Sequence, residues 1–415
     1  MKLALVDGAL GHTGSFLVKY LIEDGWEVIA TDLDEKRRNK IMTKEKLFNA
    51  ELKYLDCREW PNVKYIPADL TKKDTLEDLF TKDLFETYDK KNYDVVFHPA
   101  SLYDYGASYD LLHSVNYEGL KNLLDIMLSF SRKTKSRIPK FIHWSTCGVY
   151  GEPNYQKDED GIIYPTDESA PYNPPNNYSQ SKVEQEKLIF TSANNNPNFK
   201  YIILRPAPIY GPYQTYGMYH IFYTAYVMGH SVLVKIFPKK RKLMMPMIHV
   251  VDLVRAAIFL SKKDEVDNEI FNIINDSPLQ EQFMQMVYKE TDITFSTLPL
   301  PWILYRLLAK FTYFLARRRQ KKAKEYGTRP TFDLPMVGYL THQYYFSNKK
   351  LKDLGFEFFY NDFKKGVSET ISWYKENGWF PFEDLTKPEY VNEEPREAYR
   401  PTQEYKTPME GGEIF

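Results

Sequence analysis

The chain has 415 residues, 43% of them apolar, with 55 basic side chains against 56 acidic ones. That length allows a large buried core in one or more domains, and the near-neutral balance excludes a global field aimed at nucleic acid or a polyanionic substrate. Two cysteines, Cys57 and Cys147, exclude a disulfide framework or a Cys-rich zinc site, and no apolar run reaches the ~18 residues needed to span a bilayer.

Met1 leads directly into a strand-like run without a basic leader, so the chain reads as intracellular and cytoplasmic. In chain order, short apolar runs alternate with helical patterns: LALV, then SFLVKYLIEDG; EVIATD; VKYIPAD, then TLEDLFTKDLF; DVVFHPAS, then LLHSVNYEGLKNLLDIML; FIHWST; and YIILRP. Nearly continuous apolar strands separated by amphipathic helices predict an α/β fold with a doubly wound parallel sheet. Right-handed crossovers then gather the carboxyl ends of the strands on one ligand-binding edge. The rhythm loosens after about residue 205. The expected organisation is a nucleotide-binding domain over 1–205 with a return segment 246–275, a smaller substrate-binding lobe from 206–245 and 276–380, and a Pro- and Glu-rich disordered tail over 381–415.

The first strand breaks into ALVDGALGHTG, where Gly8, Gly11 and Gly14 open the first helix. In this context the glycines permit a tight turn, close approach of a pyrophosphate and close helix packing, and the helix start supplies N–H donors. Gly8, Gly11, His12, Thr13 and Gly14 are therefore candidate dinucleotide-binding residues. Asp32 ends EVIATD ~20 residues further on, where a carboxylate accepts from ribose hydroxyls and repels a 2′-phosphate. It favours NAD over NADP, although Arg37 and Arg38 lie nearby. Asp69, followed by Leu70, ends the third strand and is a candidate for the adenine or, equally, a helix N-cap. Ala100 and Ser101 close the fourth strand and are candidates to line the cofactor. His98 reads as a packing residue, because no second His or carboxylate sits beside it at ligand spacing.

Downstream, Tyr178 and Lys182 are spaced i and i+4, on one face of a helix. A fixed ammonium and a positively charged nicotinamide would lower the phenol pKa, allowing Tyr178 to take or return a substrate proton. Ser145 and Thr146 end FIHWST at the same edge and offer a hydroxyl for the substrate oxygen.

GxxGxxG at 8–14, Asp32, STCGVYG at 145–151, Tyr178-x-x-x-Lys182, LRPAPIYGP at 204–212 and HVVDLVRA at 249–256 together resemble the extended short-chain dehydrogenase/reductase family, the NAD-dependent epimerase/dehydratase group, over roughly residues 1–275. The resemblance implies a Rossmann-like domain holding NAD(P), hydride transfer at the nicotinamide, Tyr178 as acid/base and Lys182 on the ribose hydroxyls. It places Thr146 as the catalytic Ser/Thr, with Ser145 the neighbouring alternative, and puts Arg205 on the strand leading toward the nicotinamide. It also implies a homodimer through helices near 105–128 and 178–192.

Departures from the family pattern narrow the chemistry. Cys147-Gly148 stands where dehydratases of this group carry Asp-Glu, so dehydration is not expected. Met245 occupies the position of an Arg that grips nucleotide-sugar diphosphates, although Lys239, Lys240, Arg241 or Lys242 could substitute. Asp7 replaces the usual Thr before the first glycine. Residues 297–324 set an aromatic, apolar run against Arg317, Arg318, Arg319, Lys321 and Lys322; this suits either a lid packed on the core or a helix lying on an anionic membrane. The segment YYFSNKKLKDLGFEFFYNDFKKGVSETISWYKENG resembles the end of the 3β-hydroxysteroid and sterol-carboxylate dehydrogenase branch. The aromatic run 209–227 fits sugar stacking or core packing equally. Three functions compete: an NAD-dependent dehydrogenase of a bulky hydrophobic secondary alcohol, sterol-like or isoprenoid; a nucleotide-sugar 4-epimerase; and a non-catalytic NAD-binding sensor or scaffold.

Overall fold

The computed structural model describes residues 1–33, 55–105, 107–153, 163–214, 217–219, 221–222, 234–239, 242–291, 296–325 and 342–377. In chain order the strands are β1 (Leu3–Val6), β2 (Glu27–Ala30), β3 (Val63–Tyr65), β4 (Val95–His98), β5 (Lys140–Trp144), β6 (Tyr201–Pro206), β7 (Ile209–Tyr210), β8 (Val234–Pro238), β9 (Ile248–His249), β10 (Glu269–Ile273) and β11 (Ser296–Leu300). Seven of them form one sheet in the order β10-β6-β5-β4-β1-β2-β3. Every neighbouring pair in it is parallel. The expected Rossmann-like doubly wound sheet is therefore present. Its strand order reverses between β1 and β4, the crevice where such sheets bind ligands.

Alternation along each strand sends successive side chains into two cores. Leu3, Leu5, Ile29, Val96, Phe141 and Ile203 pack against Leu120, Leu123, Leu124 and Met127 of the Gly119–Thr134 helix. Ala4, Val6, Val28, Phe97, Ile142 and Leu204 pack on the opposite face with the His12–Glu23 and Val250–Ser261 helices. Burial on both faces explains why the strands read as unbroken apolar runs.

Two helical expectations change in detail. TLEDLFTKDLF forms a 3-10 segment, Lys73–Leu79, and a separate short helix, Lys82–Glu86. Thr81 divides them: its backbone is extended and its side chain accepts from Leu84 N, a capping bond that competes with helix continuation. The helical run from Tyr109 to Thr134 contains a π-helical stretch, His113–Glu118, of a kind often found at functional sites.

Beyond β6, a separate core joins Tyr210, Tyr219, Phe222, Met245 and Phe283 to Val367, Ile371 and Tyr374 of the Phe363–Glu376 helix. Core packing thus accounts for the described aromatic residues Tyr210, Tyr219 and Phe222 of the 209–227 run. Fully buried Asp252 fastens this region to the sheet domain, accepting from Phe359 N at 2.7 Å, Tyr360 N at 2.9 Å and Asn275 Nδ2 at 2.9 Å. β8 and β11 pair as a separate parallel ribbon that leads into the Trp302–Glu325 helix. The tail expected over 381–415 lies outside the described residues.

Candidate active site

The glycine loop sits between β1 and the His12–Glu23 helix. Gly8 has φ +56°, and a Cβ there would stand 2.9 Å from Ala100 Cα. At Gly14 a Cβ would lie 2.0 Å from the Gly8 carbonyl oxygen, so the helix enters against the loop with no room for any side chain. The helix has no side-chain N-cap and no acidic residue in its first turn, leaving its positive end to an external anion. His12 reaches in another direction: its Nε2 is 2.9 Å from the Pro212 carbonyl oxygen, which ties the loop to the segment after β7. Burial lowers His12 to a pKa of about 4, so its ring is neutral. Thr13 lies in the first helical turn, partly buried.

Asp32 follows β2 and turns toward the same loop, accepting from Leu10 N at 2.9 Å and Leu33 N at 2.8 Å. It braces the glycine turn from the end of β2. Asp69 Oδ1 accepts from Thr71 N at 3.0 Å and Thr71 Oγ1 at 2.7 Å, a local turn; the helix N-cap expected as the alternative to an adenine contact falls instead at Lys72. Leu70 carries its carbonyl to Asn122 Nδ2 at 2.9 Å, joining the β3 edge to the Gly119–Thr134 helix.

At the end of β4, His98 packs in the interior and Asp7 is its hydrogen-bond partner. Buried Asp7 accepts from Ala100 N at 2.9 Å and hydrogen-bonds His98 Nδ1. His98 also stacks on His143, its cross-strand neighbour in β5, at 5.4 Å between ring centroids. The carboxylate partner is 91 residues away, so local ligand spacing could not reveal it; parallel register brings it alongside. The pair locks the glycine loop to the Ala100–Ser101 turn. Ser101 in turn bonds Asn116 at 3.2 Å, and Asn116 holds Leu102 N at 2.7 Å and Ser181 Oγ at 3.0 Å. Asn116 lies in the π-helical stretch and joins the β4 edge to the Asn177–Asn195 helix; nothing in the sequence reading singled it out.

Thr146 and Ser145 separate in role. Ser145 Oγ hydrogen-bonds Glu186 in the interior. Thr146 stays partly exposed and accepts from Gly148 N at 3.0 Å. A Cβ on Gly148 would meet Ser179 Oγ at 2.7 Å and Thr146 Oγ1 at 3.3 Å, which sets Thr146 against the start of the helix carrying Tyr178. Asn176 caps that helix, accepting from Ser179 N at 2.8 Å. The Tyr178 ring packs against Tyr103 at 4.9 Å and Tyr105 at 5.6 Å. Neither aromatic neighbour was anticipated, because LYDYG after β4 carries no periodic or motif signal.

The expected lowering of the phenol is not a property of the protein alone. Burial pushes the Tyr178 pKa well up, and Tyr105 adds to the rise. Lys182 is only 1% exposed, donates to the Trp144 carbonyl at 2.8 Å and stands 5.9 Å from the Tyr178 ring. Burial brings it down to a pKa of about 7, against the opposing pull of Asp7 and Glu186. The two groups therefore share a dry site where added positive charge shifts the phenol most strongly.

Arg205 takes a different place from the one expected. Its guanidinium donates to Glu186 at 3.0 and 2.6 Å, Tyr150 Oη at 2.7 Å, Tyr172 Oη at 3.2 Å and the Glu168 carbonyl at 3.4 Å. All five N–H donors are engaged, so the side chain is an interior clamp rather than a cofactor ligand. Cys147 is equally enclosed, donating to the Arg205 carbonyl at 3.0 Å with its pKa raised by burial.

The glycine cradle, the uncapped helix start, Asp32 at the end of β2 and the Thr146, Tyr178, Lys182 group all lie along the carboxyl edge of one parallel sheet, an arrangement that fits a dinucleotide. Comparison with known proteins agrees. The model of the NAD-dependent epimerase/dehydratase family matches residues 4–273. A putative UDP-glucose 4-epimerase of Methanocaldococcus jannaschii is 31% identical over 51% of this chain, and the match spans 57% of that relative's length. A dTDP-D-glucose 4,6-dehydratase of Homo sapiens is 25% identical over 93% of this chain and 94% of its own. A decarboxylating sterol-4-alpha-carboxylate 3-dehydrogenase of Candida albicans is 24% identical over 91% of this chain and 99% of its own. Among solved structures, the UDP-glucose 4-epimerase of Thermotoga maritima with UDP-glucose has a TM-score of 0.60 at 21% identity, covering 90% of this chain and 99% of that one. The chain belongs to the NAD-dependent epimerase/dehydratase family and is an NAD-dependent enzyme of the extended short-chain dehydrogenase/reductase type.

Proposed function

We propose that this enzyme oxidises a secondary alcohol, or reduces the corresponding ketone, on a bulky hydrophobic substrate such as a sterol-like or isoprenoid compound. The observation that carries this reading is the packing of the Tyr178 ring against the rings of Tyr103 and Tyr105, an aromatic wall at the edge that also carries Thr146. Bound NAD supplies the hydride acceptor. Gly8, Gly11, His12, Thr13 and Gly14 would hold its pyrophosphate end, Asp32 a ribose, and Ala100 and Ser101 the wall beside it. Thr146 Oγ1 orients the substrate hydroxyl, Tyr178 Oη removes its proton, and Lys182 contributes positive charge where the phenolate forms. Residues 1–205 with 246–275 would form the cofactor domain, and 206–245 with 276–380 the substrate lobe.

Two further observations favour a non-nucleotide substrate without dehydration. Met245, at the position of the diphosphate-gripping Arg, is buried in the lobe core. Buried Cys147 and side-chain-less Gly148 offer no acid/base pair after Thr146. A nucleotide-sugar 4-epimerase is the second reading, supported by the 31% identity to a putative UDP-glucose 4-epimerase. The proposed partners are the small-molecule substrate, a second copy joined through helices near 105–128 and 178–192, and a membrane surface touched by 297–324 in the cytoplasm. Net NADH formation on adding hydrophobic secondary alcohols, lost in Tyr178→Phe while NAD still binds, is the expected result. Interconversion of UDP-sugars with no net NADH would overturn the dehydrogenase reading in favour of the epimerase.

A further inference from the structure

The Trp302–Glu325 helix is built the wrong way round for a helix that packs only on its own protein. Its buried side is narrow: Tyr305, Ala309 and Ala316 are buried, and the helix contacts β8. The large apolar side chains point away. Ile303 is 73% exposed, Leu307 and Phe311 58% each and Phe314 53%, with Leu304 and Leu315 also exposed. At ~100° per residue, these positions fall in one stripe about 120° wide, roughly opposite the alanines. On the ribbon the paired residues Ile236 and Leu298 are exposed too.

The charge is equally one-sided. From 302 to 324 the sequence holds Arg306, Lys310, Arg317, Arg318, Arg319, Lys321, Lys322 and Lys324 and no acidic residue, within a chain of net charge −1. Arg317, Arg318, Arg319 and Lys321 are exposed at the end of the stripe. No helix among the described residues is long and apolar enough to cross a membrane. An outward apolar stripe ending in a cationic cluster matches an interfacial helix lying in the headgroup layer. A lid packed on the core would instead bury its large apolar side chains.

We propose that the 302–325 helix docks this enzyme flat on an anionic lipid bilayer, with Ile303, Leu307, Phe311 and Phe314 entering the acyl boundary and Arg317, Arg318, Arg319 and Lys321 on the headgroups. This rests on the membrane contact named above and is independent of which substrate is turned over. The test is co-sedimentation of the full chain with vesicles of phosphatidylcholine alone or mixed with phosphatidylserine. Binding is expected to the mixed vesicles, weakening with salt. Leu307→Glu with Phe311→Glu should reduce it more than tenfold, and Arg317→Gln with Arg319→Gln roughly fivefold per charge. Melting temperature and NAD affinity should match the parent in both variants, and if the glutamate pair fails to fold, the glutamine pair carries the test. Equal binding to neutral and mixed vesicles, no binding, or binding unchanged in the variants would overturn the proposal. So would a dimer that the glutamate pair converts to monomer without vesicle binding, since a second copy would then be the occupant. Turnover of soluble alcohols in these variants reports separately on the dehydrogenase reading.

Discussion

Two long helices break the rule of apolar inside and polar outside in opposite ways. The 177–195 helix buries Ser181, Lys182, Gln185 and Glu186 almost completely, whereas the 302–325 helix exposes Ile303, Leu307 and Phe311. Burying polar groups is costly unless they find partners, and here most do: Lys182 on the Trp144 carbonyl, Glu186 on Arg205 and Ser145, Ser181 on Asn116 and Gln185 Nε2 on the Asn116 carbonyl, with Gln185 Oε1 alone among them lacking a protein partner. Exposing large apolar groups has no such internal answer. The first pattern marks a site organised within the chain, and the second an exposed apolar surface, the one proposed to meet a bilayer.

The comparison can be broken at several points. Tyr178→Phe should lower kcat about a thousandfold, within the range for loss of a general acid/base, while NAD binding by fluorescence titration stays near the parent value. Retained turnover would remove Tyr178 from the chemistry. Arg205→Met should destabilise the fold by ~3–5 kcal/mol in denaturant melts, because it strands Glu186 in the interior. A smaller loss would mean that Tyr172 and Ser145 satisfy the carboxylate unaided. Gly14→Ala should cost ~1–3 kcal/mol, seen mainly as weaker NAD binding, as the helix start is forced off the Gly8 carbonyl.

Lys182 gives a pH test of the buried helix. In the protein without cofactor its pKa falls from 10.5 to about 7 on folding, so between those values the unfolded chain holds a proton that the folded chain has released. Stability therefore rises with pH across that window, by at most ~1.4 kcal/mol per pH unit for one proton. Lys182→Met should flatten this part of the profile in melts followed against pH; an unchanged slope would show that Lys182 keeps its proton in the fold. The smallest effect belongs to the other helix. Phe311→Ser should change stability in solution by no more than ~0.5 kcal/mol, because the ring is already in water.

The sheet was legible because parallel strands buried on both faces must be nearly continuous apolar runs, and because Gly8, Gly11 and Gly14 sit at a strand-to-helix junction. Tyr178, Lys182 and Thr146 were legible through spacing and order. Asp7 with His98, and Asn116 with Ser181, were not, because each pair joins distant segments that only sheet register or helix packing brings together. Arg205 was assigned to the cofactor because its strand leads to the site; side-chain direction within the strand turned it into the interior. Thr81 shows the local version of the same limit, where one capping hydroxyl outweighed a helical pattern.

The sequence by itself determined the sheet and the glycine loop and pointed to Thr146, Tyr178 and Lys182 as candidate reacting side chains, since these depend on local periodicity, backbone freedom and residue chemistry. It held both the apolar run and the basic block of 302–325, but a one-dimensional pattern does not say which face of a helix meets the protein. Tertiary structure decided that: Tyr305, Ala309 and Ala316 are turned inward, and the large apolar side chains are left facing outward.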